Sequence, residues 1–130
     1  SIRSVFTIHN LRFQGVWDIK TIKRFTELSD YYFTPDKLEC DKNGNLLKGG
    51  LVYADAITTV SKTYAREIQY PFFGEGLEGL LQARDHDLRG IVNGIDYEEW
   101  NPKRDPFLPA HYDSASFRMG KPEVKRALQD

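Results

Sequence analysis

The chain is poor in the residues and patterns that mark several large classes of protein. It holds one cysteine, Cys40, so no disulfide can form within it, and this usage fits a reducing compartment. No apolar run in the sequence approaches the ~20 residues needed to cross a bilayer. The formal net charge of −1 provides no basic excess for nucleic acid or an anionic membrane surface. The sequence therefore predicts no nucleic-acid partner and no membrane partner.

Metal and nucleotide signatures are missing as well. The three histidines, His9, His86 and His111, are scattered, and Cys40 has no Cys or His near it in sequence, so no metal site is expected. Residues 74–79 have the spacing Gly-x-Gly-x-x-Gly, but a single match of this kind is weak evidence. A glutamate inside it would point negative charge at a phosphate. We therefore do not interpret this segment as a dinucleotide-binding loop.

The composition that is present suits an ordinary globular fold. The 130 residues are 40% hydrophobic and 28% charged, which fits one domain or part of a larger one. The chain opens almost directly on a strand pattern, without an initiator methionine or an apolar signal region, and it ends within a helical pattern. We therefore expect both ends to have been cut from something longer.

Three short apolar runs predict the strands of one sheet. Residues 5–8 are rich in strand-forming side chains, and similar runs at 57–60 and 90–92 give way to polar residues. Short runs that are apolar on both faces are typical of a buried parallel sheet, and here they alternate with helical patterns. The sequence predicts an α/β fold with a parallel sheet.

The intervals between the strands show helical spacing of apolar residues. Asp18 and Ser61 are expected to be N-caps, and Pro122 is expected near the first turn of the last helix. Gly49 and Gly50 are costly inside a helix, so we expect their helix to pass very close to another backbone. Helices are predicted over residues 18–28, 45–54, 62–68, 77–84 and 120–129.

The rest of the chain is predicted to be irregular. Residues 11–17 have the composition of a loop, and residues 97–110 contain three prolines, which indicates a linker. Residues 29–44 are interpreted as a surface excursion with short extended pieces around 31–33 and 37–39.

Polar side chains follow or end each predicted strand. His9 and Asn10 come after the first strand, Ser61 ends the second and Asn93 follows the third. Ligands of open α/β sheets bind beyond the carboxyl ends of the strands, so we expect these four side chains to lie together at that edge. Two alternatives stay open. His9 could serve only a turn, and Asn93 with Gly94 has the composition of a hairpin turn, although no returning strand pattern follows.

Several longer motifs go beyond these general patterns. Residues 7–15 read T-I-H-N-L-R-F-Q-G, and residues 47–61 read L-K-G-G-L-V-Y-A-D-A-I-T-T-V-S. They resemble, in order and spacing, two motifs of bacterial glycogen synthases and plant starch synthases. The similarity continues through residues 74–81, 90–96, 100–102 and 121–129, so it runs nearly from end to end.

This resemblance implies a GT-B glycosyltransferase of family five, with two Rossmann-like domains facing each other across a cleft. Such an enzyme transfers glucose from ADP-glucose to the non-reducing end of an α-1,4-glucan, with retention and without a metal or other cofactor. The resemblance makes residues 1–96 the later part of the acceptor-side domain, 97–119 an interdomain linker and 120–130 the first helix of the donor domain. It also implies a bacterial cytoplasm, or a plastid if the source is a plant.

By the same resemblance, His9 is the catalytic residue, and Asn10 and Asn93 bind substrate near the transferred sugar. The family's Lys-x-Gly-Gly-Leu loop and its aspartate-bearing segment before the first strand are absent from this sequence. The Arg and Lys that hold the diphosphate, and the glutamate near the glucose, belong to a donor domain that is also absent. The isolated chain is therefore expected to be inactive, with ADP-glucose and glucan as partners of a longer parent.

A second hypothesis is a glucan-binding or regulatory module without catalysis. Carbohydrate modules present exposed aromatic platforms, and five aromatic side chains could supply one: Tyr31, Tyr32, Phe33, Phe72 and Phe73. The two hypotheses differ in the residues that matter, the polar strand ends in one and these rings in the other.

Overall fold

A computed structural model describes residues 2–130. The chain divides into a compact unit that extends to Asn93 and a second that runs from Gly94 to Asp130. The strands are β1 (Val5–Ile8), β2 (Val16–Trp17), β3 (Glu39–Cys40), β4 (Asn43–Asn45), β5 (Ala56–Thr59) and β6 (Leu88–Gly90). The helices are α1 (Ile19–Thr26), α2 (Leu46–Tyr53), α3 (Lys62–Glu67), α4 (Glu78–Ala83) and α5 (Phe117–Gln129). Within residues 2–130, no helix has the length and apolarity that crossing a bilayer requires.

The main sheet has the order β1-β5-β6, and both strand pairs are parallel. Ile8 pairs with Thr59, and Thr59 pairs with Gly90, so the three carboxyl ends lie level with one another. The α/β prediction is confirmed. The third strand ends two residues before its predicted end at Val92, and no strand follows Asn93 in the part of the chain described, so the hairpin alternative is rejected.

A second, small sheet was not expected from the sequence. It has the order β2-β4-β3 with antiparallel pairs, so the predicted loop over residues 11–17 contains a strand at its end. The predicted extended piece around 31–33 is wrong: Asp30–Tyr32 is a 3₁₀ turn. Strands of two or three residues are too short to show a periodicity, and contacts elsewhere in the chain determine them.

Three of the four predicted helices in the first unit begin at a residue whose side chain caps the helix, and the start of α4 has no such cap. Asp18 accepts a hydrogen bond from the Thr21 N–H at 2.9 Å, and the Ser61 hydroxyl accepts from the N–H groups of Thr63 and Tyr64, both at 3.2 Å. Asn45 caps α2 in the same way. These caps satisfy backbone donors that the helix itself cannot pair, which confirms the two predicted caps.

The two glycines of α2, Gly49 and Gly50, make room for side chains of other residues. The expectation that a second backbone lies against them is wrong. A Cβ on Gly49 would lie 2.8 Å from Cγ of Leu38, and a Cβ on Gly50 would collide with the ring of Phe6. The helix therefore lies closer to the Phe6 ring of β1 and to Leu38 than any larger residue would allow.

The hydrophobic core joins the main sheet to α2, α3 and α4. Ile8 of β1 and Ile57 of β5 are buried together with residues of those helices and of the loops that flank them. The buried members of this cluster are Ile8, Leu11, Leu47, Leu51, Ile57, Ala65, Ile68, Leu77, Leu81 and Leu88. Ile8 and Leu11 stand directly on either side of His9 and Asn10, so the core fixes both neighbours of that pair.

In the second unit the last helix begins at Phe117, three residues before its predicted start, so Pro122 lies inside the helix rather than in its first turn. The side chain of Tyr112 packs against Gly120, where a Cβ would lie 3.0 Å from Cδ1 of the tyrosine. The division into linker and donor-domain helix stays a prediction.

The side chain of Asp55, just before β5, bonds Ser4, just before β1, and so connects the starts of the two strands. Loss of this carboxylate is expected to destabilise the protein only at pH values at which the carboxylate is ionised. The backbone N–H and the hydroxyl of Ser4 donate to this carboxylate at 2.7 and 3.1 Å, and these bonds lower the pKa of Asp55 below its ordinary value. A lowered folded-state pKa gives stability that is present above the unfolded value of about 3.9 and lost as pH falls through the folded value. We expect Asp55→Asn to lower the melting temperature at neutral pH, and the difference from wild type to shrink below about pH 4.

Melting curves of the protein between pH 7 and pH 3 would measure this. Ser4→Ala is a useful comparison, because it removes the hydroxyl but keeps the backbone N–H that donates to the carboxylate, and it should cause a smaller loss. A difference between Asp55→Asn and wild type that is constant over this pH range would show that the carboxylate charge is irrelevant.

Candidate functional site

His9 and Asn10 lie immediately beyond the carboxyl end of β1, between two buried anchors. Both side chains are exposed, whereas Ile8 and Leu11 are 1% and 0% exposed. The alternation of core and solvent positions therefore presents the two polar side chains outward from a firmly packed segment.

Two hydrogen bonds hold the anchors in place. The hydroxyl of Thr59, which is buried on β5, donates to the carbonyl of Ile8 at 2.8 Å. The N–H of Leu11 donates to the hydroxyl of Tyr64 on α3 at 3.2 Å. The backbone on each side of the His9–Asn10 pair is thus tied to a neighbouring element, which limits movement of the pair relative to the sheet.

The side chain of Asn10 is partly committed to the loop. Its Oδ1 accepts the N–H of Arg12 at 3.0 Å, and its carbonyl accepts the N–H of Phe13 at 3.3 Å. This turn orients the amide, since Oδ1 faces the backbone and Nδ2 is left as the donor. Asn10 can therefore donate to a hydroxyl or carbonyl oxygen of a ligand.

The loop then returns to the N-terminus of α2. The carbonyl of Gln14 accepts the N–H of Leu47 at 3.0 Å, and the carbonyl of Gly15 accepts that of Leu46 at 3.3 Å. Gly15 has φ +63°, a conformation that other residues adopt at a cost. Loop carbonyls thus satisfy the first two free donors of the helix, and they close the loop against it.

A groove of about 420 Å³ lies along this loop. Its lining combines the two polar side chains with apolar walls from β1 and α2: Phe6, Thr7, Ile8, His9, Asn10, Phe13, Gln14, Gly15, Leu46 and Leu47. A mostly apolar groove with a few oriented polar groups is typical of a site for a small ligand.

Ser61 and Asn93 do not line this groove. The Ser61 hydroxyl is used in capping α3, so it is a structural group. Asn93 is exposed and lies three residues beyond β6, and β5 separates β6 from β1. Two strand spacings amount to about 10 Å, so the carboxyl ends of β1 and β6, which His9 and Asn93 follow, are separated by about that distance along one edge of the sheet. Its role stays a prediction.

Sequence reasoning missed Thr59 and Tyr64, the residues that position the pair. Alternation along β5 could have placed Thr59 inside, because Ile57 and Thr59 fall on the same buried face. A buried hydroxyl needs a partner, so this position indicates a structural hydrogen bond. No pattern in the sequence connects Tyr64 to Leu11, since the contact depends on how α3 crosses the sheet.

The aromatic residues do not form a shared flat surface. The rings of Tyr31 and Tyr32 are inclined at 87°, and those of Phe72 and Phe73 at 82°. The Nζ of Lys37 lies 3.4 Å from the centre of the Tyr31 ring and covers one face of it. Sugar rings stack on open, coplanar faces, so this geometry does not favour the binding-module hypothesis.

Residues 2–130 contain no group of three His, Cys, Asp or Glu side chains suited to a metal ion.

Known proteins that are similar to this chain are glycogen synthases and starch synthases. The family of the starch synthase catalytic domain matches residues 1–83. Glycogen synthases of Lachnoclostridium phytofermentans and Finegoldia magna are 59% and 47% identical over 98% and 99% of this chain. The chain spans 27% of the length of each of these relatives.

A solved structure has the same fold. It is described as the catalytic domain of starch synthase IV from Arabidopsis thaliana bound to ADP and acarbose, with 34% identity and a TM-score of 0.78. The superposition covers 98% of this chain and 26% of that one. The predicted resemblance is confirmed: the chain belongs to the starch synthase catalytic domain family, whose fold is that of the GT-B glycosyltransferases.

Proposed function

We propose that this chain is part of an ADP-glucose-dependent glycogen or starch synthase, which adds glucose to the non-reducing end of an α-1,4-glucan with retention. The observation that carries the proposal is the exposed His9–Asn10 pair, held between two buried anchors at the carboxyl edge of a parallel sheet. Its support is the 59% identity to a glycogen synthase over 98% of the chain. The two glycogen synthases named above, which share more sequence identity with the chain than the plant enzyme does, come from bacteria, so we place the parent enzyme in a bacterial cytoplasm.

The site chemistry suits a neutral sugar better than a phosphate. Asn10 offers an amide donor, and His9 an imidazole, and both groups hydrogen-bond sugar hydroxyls. Glycosyl transfer develops positive charge on the sugar, and a fixed imidazole or backbone carbonyl near that charge stabilises the transition state. We assign the nucleotide and diphosphate contacts to the rest of the parent, and we propose no metal or cofactor beyond the nucleotide sugar.

We assign Asn93 to the other side of the same sugar. It lies two strands from His9 on one sheet edge, so a hexose seated over β5 would have His9 and Asn10 on one side and Asn93 on the other. Residues 97–119 would then be the interdomain linker, and residues 120–130 the first helix of the donor domain of the parent.

The test is glucose transfer by the full-length enzyme. Radiolabelled ADP-glucose and glycogen are incubated with the enzyme, the label in polymer is counted, and the new linkage is examined by NMR. We expect α-1,4-linked product from ADP-glucose, and UDP-glucose serves as the comparison donor. Hydrolysis of ADP-glucose without polymer label, or a β-linked product, would contradict the proposal.

The isolated chain is expected to be inactive in that assay and to bind an apolar dye. Val5 of the outer strand β1 is 64% exposed, and Phe13, Phe72 and Phe107 are 77%, 87% and 92% exposed. An outer strand and a large apolar surface without cover are typical of part of a larger fold. Fluorescence of the dye and a melting curve measure this. A cooperative, reversible melt without dye binding would show that the chain is an independent folding unit.

A further inference from the structure

We infer that Gln14 is a positioning residue for glucosyl transfer, because it links the loop of His9 and Asn10 to α2 and to the loop at residues 74–76. The inference rests on the proposed function and deepens it. Gln14 is half-buried and lines the same groove as His9, but both ends of its amide are engaged by the protein itself.

Three hydrogen bonds form a chain through this residue. The N–H of Lys48 donates to Oδ1 of Asn45 at 2.9 Å, and Nδ2 of Asn45 donates to Oε1 of Gln14 at 2.6 Å. Nε2 of Gln14 then donates to the carbonyl of Glu75 at 3.0 Å. These hydrogen bonds therefore connect the first turn of α2 to the His9 loop, and the His9 loop to Glu75, which lies sixty-one residues after Gln14 in the sequence.

The backbone groups at the two ends of this hydrogen-bonded series, the N–H of Lys48 and the carbonyl of Glu75, fix the orientation of both amides. A backbone N–H can only donate and a backbone carbonyl can only accept, so each amide must present its oxygen toward Lys48 and its nitrogen toward Glu75. Only an amide at each position completes all three bonds. A carboxylate at Gln14 would still accept from Asn45, but it would oppose the Glu75 carbonyl with a second acceptor.

Both hydrogen-bond partners of Gln14 lie where the loss of a bond is costly. Asn45 is 1% exposed, so its Nδ2 has no access to water if Gln14 is lost, and an unpaired buried donor is costly. Glu75 has φ +48°, an uncommon backbone conformation for a residue with a side chain, and its neighbour Gly76 has φ +82°. Gln14 thus stabilises the turn at Glu75 and Gly76, and it forms part of the groove wall at the same time.

The consequence for the reaction is geometric. The groove lining includes His9, Asn10 and Gln14 in one loop, and the loop is fixed at its start by Thr59 and Tyr64 and at its end by Gln14. Release of one end allows the wall to shift, and a misplacement of about 1 Å at a reacting group lowers the rate by up to about 10²-fold. Donor affinity is expected to change little, because we assign most donor contacts to other parts of the parent.

The experiment measures kcat and the ADP-glucose KM of the full-length enzyme, per folded molecule, with a melting curve for each variant. We expect Gln14→Leu, which breaks both bonds, to lower kcat by about 10- to 100-fold with KM within about threefold of wild type. Gln14→Glu keeps the bond from Asn45 and loses the bond to Glu75, so its kcat should fall between those of wild type and Gln14→Leu. If the leucine variant does not fold, a kcat of Gln14→Glu below that of wild type is still a measurable result.

Gln69→Leu is the matched control. Gln69 is also half-buried, and its Nε2 bridges two segments by bonding the carbonyl of Ala65 at 3.0 Å and Oδ1 of Asp85 at 2.8 Å. We expect this variant to lower the melting temperature while kcat stays at the wild-type value. A Gln14→Glu or Gln14→Leu enzyme with normal kcat, or an equal loss of kcat in Gln69→Leu, would overturn the positioning role. A wild-type enzyme without transfer activity would instead overturn the proposed function.

Discussion

His9→Ala in the full-length enzyme is expected to lower kcat by about 10²- to 10³-fold, with a small change in the ADP-glucose KM. This is the loss usually seen when one preorganised group that stabilises transition-state charge is removed. The imidazole is attached to a backbone segment fixed by Ile8 and Leu11, so the position of the His9 backbone is set before the substrate arrives. An interaction that strengthens only in the transition state affects kcat rather than ground-state binding.

A control separates this role from a structural one. His86 is also exposed, at 75% of its side chain, and it lies 3.2 Å from the carboxylate of Asp87. His86→Ala should leave kcat unchanged. Because the His9 side chain is exposed, His9→Ala should leave the melting temperature near that of wild type. If the ADP-glucose KM rises while turnover stays near normal, His9 binds the donor, and a large fall in melting temperature would indicate that it only holds the loop.

The parallel sheet and the helix caps could be predicted because their causes are local. A strand such as β5 is marked by β-branched residues, and a cap such as Ser61 is marked by a hydroxyl directly before a helical pattern. The position of His9 follows from the same logic, since the polar residues begin where the apolar run ends. These features depend on neighbours in sequence, and no distant contact needs to be known.

The contacts that hold the site could not be predicted, because they join distant segments. Gln14 meets Asn45 across thirty-one residues and Glu75 across sixty-one, and no periodicity reports such a pairing. Gly49 and Gly50 were interpreted as space for a backbone, whereas side chains of Leu38 and Phe6 occupy it. A glycine indicates that something lies close, but only the fold determines what that is.

Gly90→Ala is expected to cause the largest loss of stability among single-methyl additions to the main sheet. Gly90 ends β6 where that strand contacts the first turn of α3. A Cβ at this position would collide with the carbonyl of Ser61 and with Cα of Lys62, and it would lie 2.6 Å from the backbone nitrogen of Lys62. All three atoms belong to the backbone, so no change of rotamer can relieve the contact.

The strand and the helix must therefore separate, which disturbs the carbonyl of Ser61 that accepts the N–H of Ala65 at 3.0 Å. Insertion of a methyl group into a packed region costs about 1–3 kcal/mol, and a backbone obstacle places this case at the upper end or above. Gly79→Ala in α4 is the control, because in the described residues no atom outside its two neighbours and the backbone of its own helix lies within 4 Å of its Cβ position. Alanine is the better helix former by up to about 1 kcal/mol, so that variant should match wild type or exceed it. Thermal unfolding of the two full-length variants side by side measures the difference, and equal melting temperatures would mean that α3 can move away from β6 at no cost.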